Sequence, residues 1–194
     1  DEVRGTIDKP YLTDALLPLI GRYDGPVDEG ADGDREFLRQ LIADDRLIDN
    51  VTVEFQTKQC LKTNRVIGYE ALARVRNRRA LNPELLFSDD IELPLQFAMT
   101  DVVLDLTMGF WKALERDGRS QSVSINCSSA MLSDPDFVQN NLIAAIRSHR
   151  VPFREVIIEL TDVGETGLEA LKEGAGRLAA TGIRISIDDF GRDI

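Results

Sequence analysis

Three apolar runs in the second half of the chain recur with room for one helix between each pair, and each carries a hard oxygen donor at or near its end. They are Gln121-Ser122-Val123-Ser124-Ile125-Asn126, then Val156-Ile157-Ile158-Glu159-Leu160-Thr161-Asp162, then Gly182-Ile183-Arg184-Ile185-Ser186-Ile187-Asp188-Asp189-Phe190-Gly191. Strand, helix and strand at such spacing make βαβ units, which assemble parallel sheets. Parallel strands finish on one side of the sheet, so Asn126, Glu159 and Asp188 are expected to share one end of the fold. Any one of these runs alone would read equally well as a strand entering a polar turn. Asp188 and Asp189 are adjacent and point to opposite faces of a strand, so they are not there to pair with each other.

Two further runs precede these. Val51-Thr52-Val53-Glu54-Phe55-Gln56 alternates as a strand does, and the chain turns back near Thr63-Asn64 into Val66-Ile67-Gly68-Tyr69-Glu70. Carboxylates and amides suit Mg²⁺ or Mn²⁺, and burying that many acids without a cation is costly. A divalent metal site is therefore expected.

Between the strands, helices are expected over 94–114, 135–148 and 166–180, the last closed by Gly182. Ahead of them lie a short helix over 11–17 and a loop over 25–33. Asp34 is the expected cap of a helix in which Phe37, Leu38, Leu41 and Ile42 recur at helical spacing. Phe110 and Trp111 are read as core, His149 as a helix-terminal surface group, and Arg76, Arg78 and Arg79 as a solvated loop. Cys127, next to Asn126, should face away from the donors.

With 194 residues the chain can form one domain with a substantial core. Its net charge of −11 argues against DNA or RNA as partners, since a phosphate backbone needs a basic face. An anionic ligand would need local help from a metal and from Arg74. Cys60 and Cys127 form no CxxC pattern, which fits a reducing compartment. No apolar run reaches the ~18 to 20 residues of a spanning helix. The chain begins at Asp1 and is expected to be a segment of a longer protein.

The ordered set Glu70-Ala71-Leu72-x-Arg74, Asn126, Glu159-x-Thr161 and Asp188-Asp189-Phe190-Gly191 resembles the EAL domains, bacterial phosphodiesterases and receptors for cyclic di-GMP. Phe55-Gln56 looks like that family's Tyr-Gln-Pro. The resemblance implies an α/β fold, an EAL-type (β/α)₈ TIM-like barrel with its first strand antiparallel. Residues 1–34 would be a helical segment and acidic linker, and residues 35–194 about two-thirds of a barrel of roughly 250 residues. It further implies that Glu70, Asn126, Glu159 and Asp188 hold one Mg²⁺ or Mn²⁺ and that Asp189 contributes to a second.

 Glu70 and Asp189 would carry catalysis, while Gln56 and Arg74 would contact the ligand, the Arg through its forked donors.

The implied activity is metal-dependent hydrolysis of cyclic di-GMP to the linear dinucleotide. The alternative is a degenerate domain that serves as a cyclic di-GMP receptor or a protein-interaction module. Several positions depart from the family's pattern: Thr57 follows Gln56 in place of Pro, Val75 follows Arg74 in place of Trp, Asp162 stands for a Glu, and Arg192-Asp193-Ile194 stands where Thr-Gly is usual. The family's catalytic Lys, on the sixth strand, falls beyond residue 194, so these residues alone are expected to be inactive. A barrel interrupted after five strands leaves an edge for further chain or a second copy to cover, which makes a homodimer an expectation. The cytoplasm is the expected location, beside an upstream sensor or signalling module or below a membrane anchor.

Overall fold

The computed structural model of the chain describes residues 30–76, 81, 83–87, 91–160 and 168–187. The expected helix at 11–17, Arg78, Arg79, Asp162 and the segment 188–194, with Asp188 and Asp189, lie outside these residues.

Five strands form one mixed sheet in the order β1 (Val51–Gln59), β2 (Val66–Val75), β3 (Ser122–Cys127), β4 (Val156–Leu160) and β5 (Arg184–Ile187). The pair β1 and β2 is antiparallel, and every later pairing is parallel. Asn64 turns the β1–β2 connection at a φ of 52°, a left-handed value that Asn tolerates better than most residues. This is the α/β sheet with an antiparallel first strand that the sequence implies.

Period-two patterning sorts the sheet into two faces. Val53 and Phe55 of β1, Tyr69, Ala71, Ala73 and Val75 of β2, Val123, Ile125 and Cys127 of β3, and Val156, Ile158 and Leu160 of β4 are all buried. They pack beneath the helices, and the Phe55 ring stacks on Phe110 with centroids 3.8 Å apart. The alternate residues, among them Gln56, Lys58, Glu70, Arg74, Asn126 and Glu159, occupy the opposite, inner face.

Helix α1 (Gly30–Ala43) precedes α2 (Leu47–Asn50), and α3 (Leu93–Arg116) carries Pro94 in its first turn, where a missing N–H costs nothing. Its buried side, including Met99, Leu104, Met108, Phe110 and Trp111, forms the centre of the core. Ser128 caps α4 (Ser129–Ser133) by accepting from the Met131 N–H. A π-wound stretch, Phe137–Ile143, runs into α5 (Ala144–Ser148), so residues 135–148 are helical throughout. Helix α6 (Leu168–Thr181) ends before Gly182, whose φ of 94° suits a glycine. No described helix is long and apolar enough to cross a membrane.

Asp34 does not cap α1, because that helix starts at Gly30 and places Asp34 within it. Residues 30–33, read from sequence as loop, are helical for the same reason. Once Leu38 and Leu41 are buried, each further residue of helix adds a backbone hydrogen bond without a new nucleus.

Candidate functional site

Register brings the inner-face residues together. Glu70 stands opposite Gln56 on one side and Ser124 on the other, and Asn126 stands opposite Glu159, which in turn faces Ser186. Asn126 and Glu159 sit near the C-terminal ends of their strands. The Asn126 side-chain N–H donates to Glu70 Oε1 at 3.2 Å, while Asn126 Oδ1 is buried with no hydrogen-bond partner. Burying an amide oxygen without a partner is costly, which marks this atom as one that a ligand could satisfy.

Sequence reasoning missed Lys58. Its Nζ donates to Glu159 Oε1 and lies 3.7 Å from Glu70 Oε2. Strands β1 and β4 are three spacings apart, roughly 14 Å across a flat sheet. The contact between them therefore reports the curl of the sheet into a barrel wall. Lys58 stands opposite Gly68, which has no side chain to share the inner face with it. Alternation from Gln56 would have put Lys58 on this face, but its partner lies 101 residues away.

Arg74 Nε donates to Glu54 Oε2 at 3.1 Å and Nη1 to the Ala73 carbonyl at 2.8 Å. Its guanidinium is thus oriented along the inner face, with 18% of the side chain exposed. Gln56 is exposed on that face. Cys127 lies on the helix side, its Sγ 3.8 Å from Met131 Sδ, and burial pushes its thiol well above the ordinary range. His149 follows α5 with Nε2 3.0 Å from Asp105 Oδ1, away from the donors.

Among the described residues no three His, Cys, Asp or Glu side chains converge; two carboxylates and one amide do. The donors are hard oxygens, and the partnerless Asn126 Oδ1 is the atom a cation would satisfy. The residues present therefore fit a divalent metal, although the Lys58 ammonium lies among them.

An antiparallel hairpin leading into parallel βα units, with oxygen donors gathered on the inner wall, defines an α/β barrel domain. The chain belongs to the EAL domain family, whose sequence model matches residues 36–194. No match is found among curated proteins. The PaMucR phosphodiesterase in its cyclic di-GMP complex is similar at 22% identity over 82% of this chain and 64% of its own, with a TM-score of 0.68. The EAL enzyme Bd1971, bound to cAMP and cyclic di-GMP, is 22% identical over 83% of this chain and 46% of its own, with a TM-score of 0.65. The Bacillus subtilis YkuI protein, with an EAL domain in complex with substrate cyclic di-GMP and calcium, is 16% identical over 79% of this chain and 38% of its own, with a TM-score of 0.64. At these identities the likeness establishes the fold, and the chain spans from 38% to 64% of these three proteins.

Proposed function

We propose that the chain is the N-terminal part of a cyclic di-GMP-binding EAL domain, and that the longer protein hydrolyses this ligand to the linear dinucleotide. The observation that carries the reading is the convergence of Glu70, Asn126 and Glu159, with Asn126 Oδ1 buried and partnerless. These three, with Asp188 and Asp189 from the tip of the β5 run, would hold Mg²⁺ or Mn²⁺. When bound, such cations lower the pKa of water and neutralise phosphate charge. Arg74, oriented by Glu54, would take a ligand phosphate, and Gln56 would line the ligand's path.

A receptor without turnover is the second reading, favoured by the Lys58 ammonium among the metal donors. Further chain or a second copy would cover the β5 edge, and an upstream module would supply the input signal to a cytoplasmic domain.

The test uses the full-length protein. Calorimetric titration with cyclic di-GMP and Ca²⁺ should show binding. Incubation with Mg²⁺ or Mn²⁺ should release the linear dinucleotide, and Glu70→Ala should abolish that release. Tight binding with no product would leave the receptor reading; no binding under any metal condition would overturn both.

A further inference from the structure

A cationic side chain in the middle of a cation site needs its own account. Lys58 Nζ reaches both Glu159 and Glu70, the two carboxylates that converge with the partnerless Asn126 oxygen. The Glu159 side chain is only 7% exposed and that of Glu70 19%, so their charges are poorly screened by water. Two such carboxylates on one wall repel each other unless something positive lies between them. Lys58 supplies that charge from within the chain.

We propose that Lys58 is a tethered counter-cation that holds the metal ligands in place and competes with a divalent ion for Glu70 and Glu159. The inference rests on the proposed metal site. Its ammonium neutralises the two carboxylates it contacts, yet Asn126 Oδ1 stays without a partner. A divalent ion satisfies all three oxygens at once. To admit it, the Lys58 head must withdraw, and its side chain, 32% exposed, already reaches solvent. The flexible methylene stem permits that movement without a change in β1, which the β1–β2 ladder holds in register. Metal occupancy in this chain is then set by an exchange between two cations, one covalently attached.

The experiment is Mn²⁺ titration of the full-length protein, followed by electron paramagnetic resonance of free Mn²⁺, for the unsubstituted chain, Lys58→Met, Lys58→Gln and Asn126→Leu. Removing the competitor should tighten Mn²⁺ binding by about tenfold or more in both Lys58 variants, because the Lys58 ammonium then no longer contends for the carboxylates. Without metal both variants should melt earlier than the unsubstituted protein, and saturating Mn²⁺ should raise their melting temperature by more than it raises that of the unsubstituted protein. The two substitutions guard against one that fails to fold. Unchanged or weaker Mn²⁺ binding in both Lys58 variants, while Asn126→Leu lowers it, would overturn the competitor role and leave the metal site standing. No Mn²⁺ binding by any of the four proteins would overturn the metal site and the competitor together.

Discussion

Asn126 gives its side-chain N–H to Glu70 across 3.2 Å and keeps its own Oδ1 buried without a partner. A lone buried polar oxygen costs ~1–3 kcal/mol, more than one ordinary hydrogen bond returns. Asn126→Leu removes both the stabilising bond to the Glu70 carboxylate and the costly orphan, and these opposed effects nearly cancel. Urea unfolding without metal should therefore change by less than about 1 kcal/mol. Mn²⁺ affinity should fall on the order of tenfold or more, as expected for a lost oxygen ligand. A variant that destabilises the fold strongly but binds Mn²⁺ normally would assign Asn126 a packing role instead.

Gly174 of α6 packs directly against the backbone of Leu132 in α4. A Cβ on Gly174 would lie 1.9 Å from the Leu132 carbonyl oxygen, whereas one on Gly176 would meet nothing within 4 Å. Both residues are helical, so propensity alone would favour Ala at either by about 0.5–1 kcal/mol. At Gly174 the backbone clash outweighs that gain. Gly174→Ala should destabilise by about 2 kcal/mol or more in thermal or urea unfolding, and Gly176→Ala should stabilise by about 0.5 kcal/mol.

Strand faces were legible because alternation is local: Val53 and Phe55 pack on α3 as their spacing implies, and Cys127 turns away from Asn126. The meeting of Asn126 and Glu159 was legible because parallel strands align their ends, whereas Glu70, midway along β2, was tied to them only through the family resemblance. Lys58 was not, because its partner Glu159 depends on the curl of four strands rather than on spacing along one. The start of α1 at Gly30 was hidden by glycines that ordinarily signal loop. The π-wound turn of Phe137–Ile143 was not read from the sequence, although the joint burial of residues five apart, Phe137 with Leu142 and Val138 with Ile143, is the spacing such winding produces.

Asp101 of α3 accepts from the Asn141 side-chain N–H at 2.7 and 2.9 Å. Burial raises its carboxyl above the ordinary value despite that donor, and the charge of Asp105 adds to the rise. The folded state therefore holds its proton to higher pH than the unfolded chain. Its contribution to stability is fully present below the unfolded value and is lost as pH rises through the folded one. Asp101→Asn removes this dependence, so urea titrations should show the variant gaining on the unsubstituted protein between pH 4 and pH 7. A difference that stays constant with pH would contradict the raised carboxyl.

The two cysteines should separate kinetically. Hydrogen bonding to the Thr63 side chain lowers the Cys60 thiol, whereas burial raises that of Cys127, which is 3% exposed. Thiolate is the reactive form. A disulfide reagent at neutral pH should therefore label Cys60 quickly and Cys127 only as the fold opens, and Cys60→Ser should delete the fast phase alone.

Arg74 is held by a charge-assisted bond from Nε to Glu54 Oε2 at 3.1 Å and a second from Nη1 to its neighbour's carbonyl. Such a clamp fixes the plane of the guanidinium, which is what a phosphate needs from a forked donor. Lys at this position keeps the charge but loses the plane. Arg74→Lys should weaken cyclic di-GMP binding by about tenfold in calorimetry, with little change in melting temperature. Glu54→Gln leaves the Arg in place but loosens its orientation, so its loss should be smaller and in the same direction. If both variants bind as tightly as the unsubstituted protein, Arg74 serves the sheet through Glu54 and another group receives the phosphate.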